Sequence, residues 1–513
     1  MVSTGRVYFL SRPRRFGKSL LVSTLRCYFE GRKDLFEGLA MERLEKEWKK
    51  HPVFYVSFAG NKYVSEEDLS DTLDYKLSEW EKGYGLEAGK IGAWGTRFER
   101  LIKAACDKTG AEPVVLVDEY DAPLLDTMDD PEMQKRLKLE IRKFFSPLKD
   151  LGGILRFVFL TGITKYSQDA ISSGLNNLDM LTMKDNYAAI CGITKEELLT
   201  QMVPELQALA DKQGLTYEGA VEALRKKYEG YHFSEESPVV YNPFSILNAF
   251  AENRIDSYWS DCEFCKAKLV EQAPGLARFS TGTPTVLTYL IKKYDINPDE
   301  LDRGFPATTN MFDAPAEEAK DPVPMLYQSG YVTIKGTKSG GRFILGFPNE
   351  ELRLGFLHCL MPYYAAETVS QNDTFLMKFS DALEDGELEQ AMTLMRSFFS
   401  SIPYNAEKQD ENHYKTVFFL IARLCTPFVV HTEEASAAGR SDMVVETEGA
   451  VYVFEFKLDG TVEEALAQID SKGYLIPYEA SAGADGRPKK LFKIGASFDS
   501  ATRTLGGWKV VEG

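Results

Sequence analysis

The sequence predicts an α/β protein with an N-terminal parallel sheet covered by helices on both faces, a helical middle region and a C-terminal α/β domain. Three observations carry that expectation. Short apolar runs alternate with helix-length segments over the first third of the chain, the mark of βαβ units and hence of a parallel sheet. From about Thr194 to Tyr294 the apolar spacing turns mostly helical. The last hundred residues form a separate pattern of helix, hairpin, helix and final strand.

Taken in order, Val7 to Leu10 is a short apolar strand, and Ser19 to Phe29 a helix with Leu20, Leu21, Thr24, Leu25 and Tyr28 on one side. Val53 to Phe58 is strand-like and Phe98 to Ala105 helical. Val114 to Val117 and Leu155 to Leu160 are unbroken apolar runs, as expected of parallel strands buried on both faces. Gly230, Asn242-Pro243 and Gly282-Thr283-Pro284 punctuate the helical middle as loops. Residues 295–324, rich in Pro, Asp and Ala, read as a linker. Strands follow at Tyr331 to Lys335 and Arg342 to Leu345, then a helical stretch over about Phe375 to Phe399. These features divide the chain into residues 1–193, a helical lid-like region 194–294, a linker and small mixed region 295–373, and residues 374–513.

Composition narrows the function classes. The 513 residues carry 60 Lys and Arg against 77 Asp and Glu, a net charge of −17. At 44% apolar and 27% charged, the chain has the composition of a folded globular protein, which excludes wholesale disorder. The acidic balance excludes a protein that coats nucleic acid through bulk positive charge, but it leaves room for a local basic site. One such locality exists: the first 50 residues carry +6, which leaves −23 on the remainder. No run of 18 apolar residues occurs, so no membrane-spanning helix is expected. The opening residues lack the basic and apolar regions of a signal peptide. Seven scattered cysteines argue for free thiols in the cytoplasm rather than a disulfide framework. Cys262 and Cys265 stand at C-x-x-C spacing, but no second such pair exists. Inert thiols are a better reading than zinc, even with His358-Cys359 available.

The local positive charge falls on a specific pattern. The strand ending at Leu10 runs into Ser11-Arg12-Pro13-Arg14-Arg15-Phe16-Gly17-Lys18-Ser19 and then a helix. Backbone N–H groups at a helix N-terminus, aided by the helix dipole, bind phosphate. Gly17 permits close approach, Lys18 can reach the β- and γ-phosphates of a nucleotide, and the Ser19 hydroxyl can bind Mg²⁺. Arg12, Arg14 and Arg15 add positive charge beside them. Arg12 stands where the usual G-x-x-x-x-G-K-[ST] loop has its first glycine. The strand Val114 to Val117 then ends in Asp118-Glu119. In P-loop ATPases such a strand lies beside the loop, its first acid holding Mg²⁺ and its second polarising the attacking water. The alternative is that Asp118 and Glu119 merely open a polar turn. Thr161, at the end of the next apolar run, is placed to sense the γ-phosphate or simply to begin a turn.

A second constellation lies near the C-terminus. Ser441-Asp442-Met443-Val444-Val445 and Val451-Tyr452-Val453-Phe454-Glu455-Phe456-Lys457 flank Glu448-Gly449, a plausible two-residue hairpin turn. That turn sets Asp442 directly opposite Glu455, with Lys457 on the same face. Two carboxylates so close suit a shared hard cation such as Mg²⁺, and Lys457 could orient a water for attack on phosphate. The alternative is a solvated Glu-x-Lys face, but Val451 and Val453 lie on the same side and make it half buried. Glu411, at the start of a helical run to Leu424, would be a third carboxylate, and Gln468 lies on the helix after the hairpin.

Together these residues resemble a bacterial family, the AAA-ATPase-like proteins with a C-terminal nuclease domain of the PD-(D/E)XK superfamily. The resemblance rests on Phe9 through Leu20, Val117-Asp118-Glu119-Tyr120-Asp121, Phe159-Leu160-Thr161-Gly162-Ile163-Thr164-Lys165 and Gly174-Leu175-Asn176-Asn177. It continues through Tyr241-Asn242-Pro243-Phe244-Ser245, Thr281-Gly282-Thr283-Pro284, Gln328-Ser329-Gly330-Tyr331 and Phe347-Pro348-Asn349-Glu350. It ends at Gly439-Arg440-Ser441-Asp442, Glu455-Phe456-Lys457 and Gln468, and so spans almost the whole chain. It implies a P-loop NTPase fold at the N-terminus and a restriction-endonuclease-like fold at the C-terminus. It implies ATP binding through Lys18 and Ser19, hydrolysis through Asp118 and Glu119, and an Mg²⁺- or Mn²⁺-dependent nuclease core of Asp442, Glu455 and Lys457. Family members also lack the first loop glycine. They usually carry a further segment before the loop strand, where six residues stand here, and a shorter stretch between Trp259 and Phe279.

The expected function is therefore a cytoplasmic ATPase fused to a metal-dependent nuclease, with ATP gating cleavage. DNA is the expected substrate, RNA the other candidate, and no membrane is involved. AAA-type ATPases often assemble, so a homo-oligomer fits. One rival is an ATP-dependent switch whose nuclease-like domain binds a partner without cleaving. Another is a structural protein with both sites decayed, against which the intact residue sets argue.

Overall fold

The computed structural model describes the chain apart from residues 3–4, 166–177, 260–289, 291–292, 295, 316–319, 365–368, 402–410, 426–427, 437–438 and 484–485. The side chains of 362–364, 369–373, 411 and 433–436 also lie outside the described set. The chain forms two compact units. One comprises Met1–Ile296 and Gly304–Leu352, the other Asn297–Arg303 and Arg353–Gly513. No helix among the described residues is long and apolar enough to cross a membrane.

The first unit is built on a five-stranded parallel sheet of β1 (Val7–Ser11), β2 (Val53–Ser57), β3 (Val114–Asp118), β4 (Phe157–Gly162) and β5 (Asp179–Met180), in the order β2-β3-β4-β1-β5. One strand, β4, thus separates the phosphate-loop strand from the strand that ends in Asp118. Side chains alternate between the two faces. Phe9, Val115, Val117, Val158 and Leu160 pack under α2 (Glu66–Tyr84), α3 (Trp94–Thr109) and α4 (Pro131–Phe145). Tyr8, Leu10, Leu116, Phe157 and Phe159 pack with Val22, Leu25 and Phe29 of α1 (Lys18–Phe29). Helices therefore cover both faces, as the unbroken apolar strands require. Helix α2 is started by a capping box between Ser65 and Asp68 and buries Leu69, Leu73 and Leu77, four residues apart.

The middle of the unit is helical, with α5 (Lys195–Gln201), α6 (Val203–Gln213), α7 (Tyr217–Tyr228) and α8 (Pro243–Glu252). It also holds a small sheet, β6 (Ile193–Thr194), β7 (Glu229–Tyr231) and β8 (Val240–Tyr241), which the sequence reading did not anticipate. A three-stranded antiparallel sheet of β9 (Phe305–Thr308), β10 (Thr333–Lys338) and β11 (Arg342–Gly346) completes it.

The second unit takes up the chain within α9 (Glu350–Tyr364). The segment expected to be one helix over Phe375 to Phe399 is two, α10 (Val369–Glu384) and α11 (Leu388–Ser401). After α12 (Glu411–Leu424) comes a five-stranded mixed sheet of β12 (Val429–Ser436), β13 (Gly439–Glu446), β14 (Ala450–Leu458), β15 (Lys490–Asp499) and β16 (Thr504–Glu512). Strands β14 and β15 are parallel and joined through α13 (Val462–Lys472); the other pairs are antiparallel. Strand β14 is split by its alternation. Val451 and Val453 pack with Ile469 of α13, while Phe454 and Phe456 meet Phe418 of α12 in tilted ring contacts. Residues Asn297–Arg303 join this unit through Asp302, which pairs with Arg423 at 2.7 Å.

Candidate functional site

The phosphate loop is held in its shape by backbone geometry and by cations. Gly17 adopts φ 76°, a left-handed turn that a side chain would strain, and it forms the N-terminus of α1. Among the described residues no side chain caps that helix, which leaves its first N–H groups to be satisfied by another acceptor, as a phosphate could. Gly17 and Ser19 are exposed, whereas Lys18 is buried. The Lys18 ammonium donates to the carbonyls of Arg12 and Pro13, each at 2.9 Å. Burial lowers its pKa, and the charges of Glu119, Asp121 and Asp118 oppose that shift.

Those acids converge on the same place. Asp118 is 1% exposed, burial raises its pKa, and a hydrogen bond from the Ser19 hydroxyl lowers it. Its Oδ1 is buried without a hydrogen-bond partner among the described residues. A buried orphan oxygen beside a serine hydroxyl is the donor set a hard divalent cation takes, so these residues fit Mg²⁺. Glu119 sits at φ 52°, a strained backbone for a non-glycine residue, and burial raises its pKa. The charge of Arg14 reaches it. Arg15 is exposed and lies over the Phe244 ring at 4.5 Å. Thr161 is wholly buried at the end of β4, and its hydroxyl donates to the Leu10 carbonyl at 2.8 Å. With its proton on Leu10, Thr161 in this arrangement offers a phosphate oxygen only lone pairs.

Two residues named in the sequence take roles here that the sequence reading did not assign. Arg12 is not a vestige of a missing glycine. It is 1% exposed and donates to the carbonyls of Ser11, Thr182, Tyr187, Ala188 and Ile190, with its guanidinium 4.1 Å from the Phe233 ring. Burial pushes its pKa down to about 10, so it stays charged at neutral pH. The second is Asp121, wholly buried, whose Oδ2 accepts from the amides of Ile163 and Thr164 and from the Thr164 hydroxyl. It ties the turn after β3 to the turn after β4. Motifs that carried only the resemblance also settle on the loop. Gly330 abuts Pro13 so closely that a Cβ would lie 2.5 Å from it, and Gln328 accepts from the Lys165 amide.

Arg12→Ala would leave five carbonyls without their donor and a cavity beside Phe233. The expected loss is about 3 kcal/mol or more. Differential scanning calorimetry should show a lowered transition for the first unit.

The loop is braced from one further side. The Trp259 indole donates to the Arg14 carbonyl at 3.1 Å, and the Trp259 amide donates to Glu351. Glu351 is wholly buried, also accepts from the Ser245 hydroxyl, and is pushed by burial to about 7. Its folded pKa thus lies above the 4.5 of an ordinary Glu. Unfolded chains lose this proton first, so stability falls as pH rises from about 4.5 through about 7 and stays lower above it. Glu351→Gln keeps an acceptor for the Trp259 amide, and its Nε2 donates to the Ser245 hydroxyl in place of the bond Glu351 accepts. It should be more stabilising relative to wild type at pH 8 than at pH 5, by on the order of 3 kcal/mol in the melting free energies.

The second constellation lies in the other unit. Strands β13 and β14 pair Met443 with Phe454, Val444 with Val453 and Glu446 with Val451, and Thr447 closes the turn onto Ala450. This is the register expected from a turn at Glu448-Gly449. It brings Asp442 and Glu455 together: the Asp442 amide donates to Glu455 at 3.4 Å, and Asp442 Oδ2 accepts from the Phe456 amide at 2.7 Å. Glu455 is 1% exposed, and both burial and the charge of Asp442 raise its pKa. A solvated Glu-x-Lys face is thereby excluded. Lys457 donates to Glu455 at 3.1 Å and to Gln468 of α13 at 2.8 Å, and Gln468 donates to the Tyr474 hydroxyl. Gln468, a weak signal in the sequence, is the clamp that holds the lysine.

The two carboxylates fit a hard cation by chemistry, being oxygen donors in a partly desolvated site. Among the described residues no cluster of three His, Cys, Asp or Glu side chains converges. Glu411 begins α12, but its side chain lies outside the described residues. One turn later on the same helix, Lys415 pairs with Asp442 Oδ1 at 2.7 Å, a partner that the sequence reading missed. Its only signal was the four-residue spacing from Glu411. Cys262 and Cys265 also lie outside the described residues, as do Gly174 to Asn177 and Thr281 to Pro284.

Comparison with known proteins matches this architecture. A family model described as "Predicted AAA-ATPase" matches residues 1–172, and one for the PD-(D/E)XK nuclease superfamily matches residues 409–508. A protein of Azotobacter chroococcum mcd 1, described as an uncharacterized protein in the vnfD 5′ region, is 31% identical over 525 residues, covering 99% of this chain and 93% of its own length. A solved structure of the Aeropyrum pernix Orc1 protein in complex with DNA matches at 14% identity over 69% of this chain and 86% of that one. Its TM-score of 0.24 is too low to carry an argument. Two domain models in the order and at the positions of the two sites, and a relative matched almost end to end, place the chain: it belongs to the family of AAA-ATPase-like proteins that carry a C-terminal PD-(D/E)XK nuclease superfamily domain.

Proposed function

We propose that the chain is a cytoplasmic P-loop ATPase coupled to an Mg²⁺-dependent nuclease, with DNA as substrate and the nucleotide state gating cleavage. In the first unit Lys18 binds the β- and γ-phosphates, with Arg14 and Arg15 beside them. Ser19 and Asp118 hold Mg²⁺, and Glu119, near enough to Lys18 to feel its charge, takes the proton of the attacking water. In the second unit Asp442 and Glu455 hold Mg²⁺ or Mn²⁺, and Lys457 orients the water that attacks the phosphodiester. A bound divalent cation supplies charge neutralisation at the phosphate and a more acidic water. The residues do the rest. Gln468 fixes the Lys457 ammonium, and the Phe456 amide fixes the Asp442 carboxylate.

The observation that carries this reading is the wholly buried Glu455 held beside Asp442 with a clamped lysine on the same strand. Its test is a cleavage assay on supercoiled plasmid, single-stranded DNA and single-stranded RNA, with Mg²⁺ or Mn²⁺ and with or without ATP. The expected result is metal-dependent cleavage of DNA that changes with ATP. Binding without cleavage under every metal and nucleotide condition would instead favour the switch with a non-cleaving partner domain.

A further inference from the structure

Two facing carboxylates should repel each other, and the proposed site relieves that repulsion with lysines. Glu455 has Lys457, the lysine of its own strand, and Asp442 has Lys415, which arrives from α12. Among the described residues, these two acids and two ammonium groups balance in charge. Each Asp442 oxygen is occupied, Oδ1 by Lys415 and Oδ2 by the Phe456 amide. Lys457 is anchored between Glu455 and Gln468. Lys415 is 29% exposed and reaches Asp442 from a helix on a long flexible stem, so its ammonium can be displaced from Oδ1 without breaking the sheet.

We propose that Lys415 is a built-in counter-ion that holds Asp442 ready and must give up its Oδ1 when a divalent cation binds, so that metal loading at this site is an exchange of cations. This rests on the nuclease-site reading above and adds its regulation. The cation must compete with an ammonium already hydrogen-bonded to the oxygen it needs. Lys415 is thus a positioning residue that keeps the carboxylates apart and ordered without metal, and it sets the metal concentration at which the site fills.

The test is calorimetric titration of the full chain with Mn²⁺ alone, in the absence of nucleotide. The binding component lost in Asp442→Asn belongs to this site. Lys415→Met should tighten that component by roughly three- to tenfold, because both the competing pair and the like-charge repulsion are removed. Lys415→Arg, which keeps the charge, should bind no tighter than wild type. Lys415→Met should also lower the melting temperature of the metal-free protein and regain it when Mn²⁺ is added. Should Lys415→Met fail to fold, Lys415→Gln is read in the same way. A Lys415→Met affinity equal to or weaker than wild type overturns the exchange and leaves the site reading standing. Identical titrations of wild type and Asp442→Asn overturn both.

Discussion

Asp442→Asn should reduce metal-dependent cleavage by about a thousandfold or more while leaving ATP hydrolysis near wild type. The substitution is nearly isosteric. The amide oxygen can still accept from the Phe456 backbone, so the hairpin keeps its register. What goes is the negative charge beside Glu455 and opposite Lys415. The Lys415–Asp442 pair it breaks is partly exposed, so the loss of stability is expected to stay within about 1 kcal/mol. The effect should therefore fall on chemistry and metal affinity rather than on folding. Glu455→Gln is the harsher companion, because that carboxylate is buried and also meets Lys457. Initial rates on supercoiled plasmid at saturating Mg²⁺, with circular dichroism as the folding control, check both. Unchanged cleavage in Asp442→Asn would remove the proposed site.

How much of this was legible depends on the range of the interaction. Four of the five parallel strands were read to within a residue or two, because burial on both faces leaves continuous apolar runs such as Val114 to Val117; the two-residue β5 was not. The Asp442–Glu455 pairing was legible because a two-residue turn fixes register by counting. Helices α2 and α4 were passed over because charged residues fill their exposed faces, although the spacing of Leu69, Leu73 and Leu77 carried the signal. Strands of two or three residues, such as β6 and β8, leave no periodicity to read. Arg12 looked like a departure from a glycine consensus because its partners Thr182 through Ile190 lie some 170 residues away. The linker-like stretch concealed Asp302 for the same reason, since its partner Arg423 is in α12. Lys415 was hidden by attention to Glu411, the residue type expected of a metal ligand, when a cation one turn on met the aspartate. In each case the sequence shows a side chain's chemistry but not the backbone it will meet.

Lys18→Ala should weaken ATP binding by at least about a hundredfold, for two reasons that add. The first is the loss of the ammonium that faces the phosphates. The second is specific to this site: Asp118, Glu119 and Asp121 all lie close enough to Lys18 to shift its pKa, and it to shift theirs. Without it, acids already pushed up by burial stand uncompensated where a triphosphate must sit. Glu119→Gln should do the opposite at the binding step. It removes one repelling charge, so ATP binds at least as well, but hydrolysis falls by about a hundred- to a thousandfold for want of a proton acceptor. Calorimetric ATP titration and phosphate release separate the two variants. Used together in the plasmid assay they also separate two kinds of gate. If bound nucleotide opens the nuclease, cleavage in Glu119→Gln responds to ATP and cleavage in Lys18→Ala does not. If turnover is required, neither responds. If ATP changes cleavage in both variants as in wild type, the phosphate loop is not the gate, and the coupling between the two units has to be sought outside Lys18 and the acids around it.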